Sequence, residues 1–111
     1  MKITILSSTL LATQACVVSA TIAKGYKVDN SIQYHIAWID GDNVCSDYVR
    51  IGKTNEGLCD KVFKLRNGYS YVFKGCGTND FAVYNSNGIF NHYCSYDPKT
   101  LGCSANKEWK C

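Results

Sequence analysis

The cysteines constrain this chain more than any other feature. Seven occur in 111 residues, and six of them, Cys45, Cys59, Cys76, Cys94, Cys103 and Cys111, follow position 40. The seventh, Cys16, lies in a stretch with the pattern of a secretory leader. Met1 and Lys2 give a positive start, an apolar run extends from Ile3 to Val18, and Val18-Ser19-Ala20 offers small residues for cleavage. Residues 1–20 are therefore expected to be a signal peptide and residues 21–111 a single secreted domain. Acylation of Cys16 is not expected, because Thr13 stands where a lipoprotein needs an aliphatic residue. An even set of six cysteines in an exported chain predicts three disulfides. A domain this small buries too little surface to be comfortably stable alone, and each bridge adds about 2–4 kcal/mol. No C-x-x-C pair occurs, so neither a structural zinc site nor any other metal or cofactor is expected.

Charge is sparse and balanced. Without Lys2 the chain carries eleven Lys and Arg against nine Asp and Glu, a net charge of +2. Lys24, Lys27, Lys107 and Lys110 are spread along the sequence, and Lys61, Lys64 and Arg66 alternate with apolar residues. Such a pattern predicts solvated faces rather than the dense basic stripe of a nucleic-acid groove or a cationic membrane peptide. The leader's apolar run is too short and too rich in Ser and Thr to span a bilayer, and no later run approaches that length.

Between the cysteines the residues alternate with a period of two. Ile32, Tyr34, Ile36 and Trp38 share one parity, followed by the turn Asp40-Gly41-Asp42-Asn43. Further strands are expected over Val44–Ile51, Leu58–Leu65, Tyr69–Phe73, Phe81–Tyr84 and Ile89–Cys94, with turns at Thr54–Gly57, Asn67-Gly68, Gly75–Asp80 and Asn85–Gly88. From Ser95 the alternation lapses into a polar tail in which a short helix fits Ala105–Lys110. The expected fold is all-β, a small disulfide-stabilised antiparallel sandwich or barrel of about six strands. Hairpin geometry suggests Cys76–Cys94, Cys45–Cys59 and Cys103–Cys111, one of fifteen possible connectivities.

Catalytic chemistry is thinly represented. His35 and His92 are the only histidines; with Glu56, Arg50 and Arg66 they have the residue types of an acid–base and phosphate-clamping set. The segment from Phe81 to His92 loosely resembles the strand, turn and histidine-bearing strand of secreted fungal guanine-specific ribonucleases, although Asp80 stands where those enzymes carry an arginine. Gly52-Lys53-Thr54 lacks the first glycine of a phosphate loop, and Asp40-Gly41-Asp42 lacks the later ligands of a calcium loop. Both read as turns. There is no N-x-S/T acceptor.

Aromatic residues are plentiful: eight Tyr, four Phe and two Trp. Tyr48, Tyr84, Tyr96 and Trp109 are the expected exposed set by parity or loop position, and exposed rings of this kind favour recognition.

The leader, the six cysteines and the Tyr-, Gly- and Asn-rich strands ending at Cys111 together resemble the small secreted cysteine-rich proteins of fungi. That resemblance implies a monomeric, extracellular, effector-like protein that binds a host protein or a cell-wall carbohydrate without catalysis and can later enter a host cell. A secreted toxin or antimicrobial protein, and a small ribonuclease or its inactive relative, stay open beside it.

Overall fold

In the computed structural model, which describes residues 20–111, nine strands form two antiparallel sheets. The expected leader, Cys16 included, lies outside the described residues except for Ala20. The strands are β1 (Ile22–Asp29), β2 (Ile32–Ile39), β3 (Val49–Lys53), β4 (Phe63–Lys64), β5 (Ser70–Lys74), β6 (Ala82–Asn85), β7 (Phe90–Tyr93), β8 (Ser95–Thr100) and β9 (Ala105–Lys110). One sheet has the order β3-β2-β1-β9-β8 and the other β4-β5-β6-β7. They form a sandwich-like pair rather than a closed barrel, and the described residues contain no helix.

The additional strands arise at turns without a glycine signal. Asn30 and Ser31 both take positive φ, 51° and 66°, and close β1 onto β2 in a two-residue hairpin. Cys103 and Ser104 do the same between β8 and β9, at 54° and 61°. Residues Ala105–Lys110, expected as a helix, form β9. Six residues are too few for a helix to nucleate favourably, whereas the exposed edge of β1 satisfies their backbone along most of their length. A register shift opposite Lys24 and Gly25 also hides the alternation of β9. At Gly25 a Cβ would collide with the Asn106 carbonyl, so only glycine lets the two strands approach there.

Two expected strands are shorter than their alternation suggested. Val44–Tyr48 is a turn: the Ser46 and Asp47 amides donate to the Asn43 carbonyl, and the Cys45 amide donates to Asn43 Oδ1. Local hydrogen bonds from asparagine thus replace a ladder until Val49. Of Leu58–Leu65, only Phe63–Lys64 pairs as strand.

The main core lies between the sheets. Ile22, Ala37 and Cys111 from the five-stranded sheet meet Phe63, Tyr71, Phe73 and Val83 from the other, with Leu65 and Phe81. Phe73 is fully buried and stacks on Phe63 at 5.1 Å and Phe81 at 5.3 Å. A second, smaller core occupies the opposite face of the five-stranded sheet, where Ala23, Ile36, Trp38 and Ala105 are covered by Val44 and the 40–48 segment.

All six cysteines are paired, but none in the expected partnership. The bridges are Cys45–Cys103, Cys59–Cys76 and Cys94–Cys111. The rule that a bridge closes the open end of a hairpin holds; it applies to β4–β5, flanked by Cys59 and Cys76, and not to β6–β7. Cys45 sits in the turn above the second core rather than on a strand beside Cys59, so its partner is the β8–β9 turn. Cys94 leaves β7 for β8 at the seam of the two sheets and ties that crossing to Cys111.

Lys24, Lys27 and Lys107, expected on solvated faces, are buried at 4%, 8% and 4% exposure. They lie on β1 and β9 in the middle of the five-stranded sheet, and each keeps its charge by pairing. Lys24 meets Glu108, Lys27 meets Asp29 at 2.6 Å, and Lys107 reaches Asp97 at 3.0 Å and Asp40 at 3.2 Å.

Candidate functional site

The residues expected to form a ribonuclease-type set do not converge. His35, on β2, faces the second sheet across a cleft of about 320 Å³ lined by Leu58, Cys76, Gly77, Thr78, Phe81 and Trp109. Its Nδ1 is buried without a hydrogen-bond partner among the described residues. Burial, and then the charge of Lys24, holds the imidazole below its ordinary value, although the charge of Glu108 and the nearby Glu56 backbone oppose the shift. The Glu56 carboxylate instead accepts from the Lys53 amide at 3.0 Å and pairs with Lys61 at 3.6 Å.

Both arginines are committed elsewhere. Arg50 pairs in register with Ile36 and so points to the opposite face, where it donates to Asp29 at 2.7 Å and stacks 4.2 Å above Tyr34. Asp29 also accepts from Lys27 and from the Tyr48 hydroxyl at 3.1 Å. These donors, Lys27 first and then Arg50, lower the Asp29 carboxyl to about 2. Arg66, on the β4–β5 turn, pairs with Asp42 at 3.3 Å and Asp47 at 3.9 Å. His92 is exposed on β7, with its Nδ1 on the Asn91 side-chain oxygen.

The Asp40-Gly41-Asp42 turn is likewise occupied by protein cations, since Asp40 holds Lys107 and Asp42 holds Arg66. Among the described residues no group of three or more His, Cys, Asp or Glu side chains is placed to hold a metal ion. No helix among them is long and apolar enough to cross a membrane.

The expected exposed rings divide into two environments. Tyr48 is half-buried against the second core and tied to Asp29, with the Lys27 ammonium 5.3 Å from its ring. Trp109 is half-buried, edge-on to Phe81 and to Tyr96, each at 5.2 Å. Tyr96, on the edge strand β8, is 65% exposed.

Tyr84, half-buried, belongs to a different group, in which three rings pack on one another. On the outer face of the four-stranded sheet its ring meets Phe90 edge-on at 5.4 Å, and Phe90 meets Tyr93 at 4.8 Å. Phe90 and Tyr93 are 43% and 63% exposed, and Ile89 beside them is 59% exposed. Beneath the rings lie Val72 and Ala82, which Tyr84 and Tyr93 respectively oppose across the ladder.

A β-bulge builds this cluster. Tyr93 opposes Ala82 and His92 opposes Val83, but Tyr84 opposes Phe90, leaving Asn91 as the extra residue. Strict alternation would put Phe90 and Tyr93, three residues apart, on opposite faces; the bulge returns both to the outer one. Asn91 turns back to donate to Asn85 Oδ1 at 2.8 Å, which holds the bulge in place. Parity therefore missed Phe90 and Tyr93. Comparison with known proteins finds no matching family model, no matching curated protein and no matching solved structure.

Proposed function

We propose that this is a secreted, effector-like binding protein without catalytic activity, which recognises a host protein or a cell-wall carbohydrate through exposed aromatic residues. The observation that carries the reading is the Tyr84, Phe90 and Tyr93 cluster, in which two exposed rings are packed in line with a half-buried one on the outer face of a sheet. A cluster of half-polar rings, stiffened by mutual packing, loses little conformational freedom on binding. Support for the extracellular setting comes from three disulfides in a domain of this size, a density typical of exported proteins. The dispersion of His35, His92, Glu56, Arg50 and Arg66 favours binding over ribonuclease chemistry.

The test is surface plasmon resonance of the oxidised, secreted protein against host extracellular extract, with protein and wall-polysaccharide fractions presented separately. Saturable binding to one fraction, lost in the double variant Phe90→Ser/Tyr93→Ser, is the expected result. Binding that is equally strong in the variant, or absent from both fractions, defeats the reading.

A further inference from the structure

The chemistry around the aromatic cluster narrows the ligand class. From Phe81 to Tyr96, sixteen consecutive residues contain no Asp, Glu, Lys or Arg. Besides small and aliphatic residues they contain aromatic rings, three asparagines, two serines and His92. The lysines on this face of the sheet are Lys74, which opposes Ala82 and whose ammonium is taken up by Asp60 at 2.8 Å, and Lys64, which stands on β4 at the far edge from β7.

Each candidate ligand asks for something different. A nucleic acid would stack on the rings but needs unpaired cations for its phosphates. A charged protein epitope would meet no complementary charge, and interfaces of that kind draw on arginine. An uncharged glycan asks for what is present. The C–H face of a sugar ring carries partial positive charge and packs on an aromatic face, while hydroxyls exchange hydrogen bonds with neutral amides. The neutral polar groups on the ring side are the hydroxyls of Tyr84 and Tyr93 and the amide of Asn87 in the β6–β7 turn; Asn85, which opposes the inward Tyr71, and Asn91, which bonds to it, stand on the other side of the sheet.

The ring angles add shape. Tyr84 and Phe90 are at 86° and Phe90 and Tyr93 at 58°, so the surface is stepped. It cannot lie flat on a crystalline polysaccharide and suits a single flexible chain. Resting on the binding reading above, we propose that the outer face of β6 and β7 is a subsite for a neutral oligosaccharide, stacked on Tyr84, Phe90 and Tyr93 and oriented by the two tyrosine hydroxyls and Asn87.

Isothermal titration of the secreted, disulfide-bonded protein tests this, using chitin-, cellulose-, laminarin- and mannan-derived hexasaccharides with oligogalacturonate as the anionic comparison. At least one neutral hexasaccharide is expected to bind saturably, with an affinity that does not change between low and high salt. Phe90→Ala and Tyr93→Ala should each weaken it about tenfold, and Tyr69→Ala, at an exposed ring on the β4–β5 turn, should not. Tyr93→Ala, at the more exposed position, carries the test where Phe90→Ala perturbs the fold. If none of the neutral sugars binds, but oligogalacturonate or a deglycosylated host protein does so through Phe90 and Tyr93, the glycan assignment is wrong and the broader binding reading stands. Loss of all binding through these residues removes both.

Discussion

The outer faces of the two sheets are built on opposite plans. That of the five-stranded sheet is closed: the 40–48 segment covers Trp38 and Val44 is buried, Cys45–Cys103 fastens the cover, and Asp29 gathers Lys27, Tyr48 and Arg50 at its far end. That of the four-stranded sheet is left uncovered by the described residues, and its rings pack on one another there. A small domain gains most by burying its aromatic surface. Covering one face and leaving the other bare separates the part that maintains the fold from the part free to bind.

The largest effect should come from the core that the two sheets share. Phe73→Ala removes a fully buried ring between Phe63 and Phe81 and should cost about 3–5 kcal/mol, a large share of a stability that for domains of this class is about 5–15 kcal/mol. Urea unfolding reads this directly; a loss below 1.5 kcal/mol would mean that the sheets do not pack as described.

The covered face should respond next. Cys45 and Cys103 lie 58 residues apart, so replacing both with Ser frees a long loop and should cost about 2–4 kcal/mol. Because the second core is distinct from the main one, damage should concentrate there: the 40–48 segment becomes open to proteases and Trp38 emission shifts to the red. Equal protection of that segment in the variant would show that packing alone closes the face.

A smaller effect separates the buried histidine from the carboxylates. The His35 imidazole titrates below its ordinary value when folded, so the unfolded chain takes up the proton first as pH drops through about 6.5. Stability should therefore be unaffected by this group above that value and decline below it. Lys24 and Lys61 oppose the protonated ring, while Glu108 and the Glu56 backbone favour it, and burial dominates. Asp29 acts in the same direction in a lower window: lowered from 3.8 to about 2, its contribution is complete above 3.8 and is lost between those two values. Urea midpoints at pH 7.5 and 5.5 should differ less in His35→Gln than in the unsubstituted protein; an unchanged difference would assign the decline to another group.

Much of this architecture is legible in the residues. Alternation from Ile32 to Trp38 and from Tyr69 to Phe73, and the two Asn-Gly turns, lead to β2, β5 and the hairpins they belong to. β1 and β9 are not legible, because their lysines turn inward to carboxylates supplied by distant segments, such as Asp40 and Asp97 for Lys107. Pairwise charge neutralisation across the chain has no local periodicity. The disulfide pattern failed for a related reason: Cys103 meets Cys45 through a turn with two residues at positive φ, neither of them glycine. Of the candidate site, Tyr84 was legible and its partners were not, since one inserted residue at Asn91 moves Phe90 to the other side.

The smallest effect on stability is expected on the open face, and it bears most on function. Tyr93 is 63% exposed, and its main intramolecular contacts are the Phe90 ring and Ala82 beneath. Tyr93→Ser should change the unfolding free energy read from urea titration by no more than about 0.5 kcal/mol, the range for surface positions away from caps, cores and charge networks. Phe90→Ser should cost more, because Phe90 is packed between two rings. Were Tyr93→Ser instead as damaging as the loss of Cys45–Cys103, the aromatic cluster would be a third core holding β7 to its sheet, and the contrast between the two outer faces would disappear. A variant that unfolds like the parent while losing its ligand keeps that contrast, because the rings would then contribute little to folding and much to recognition.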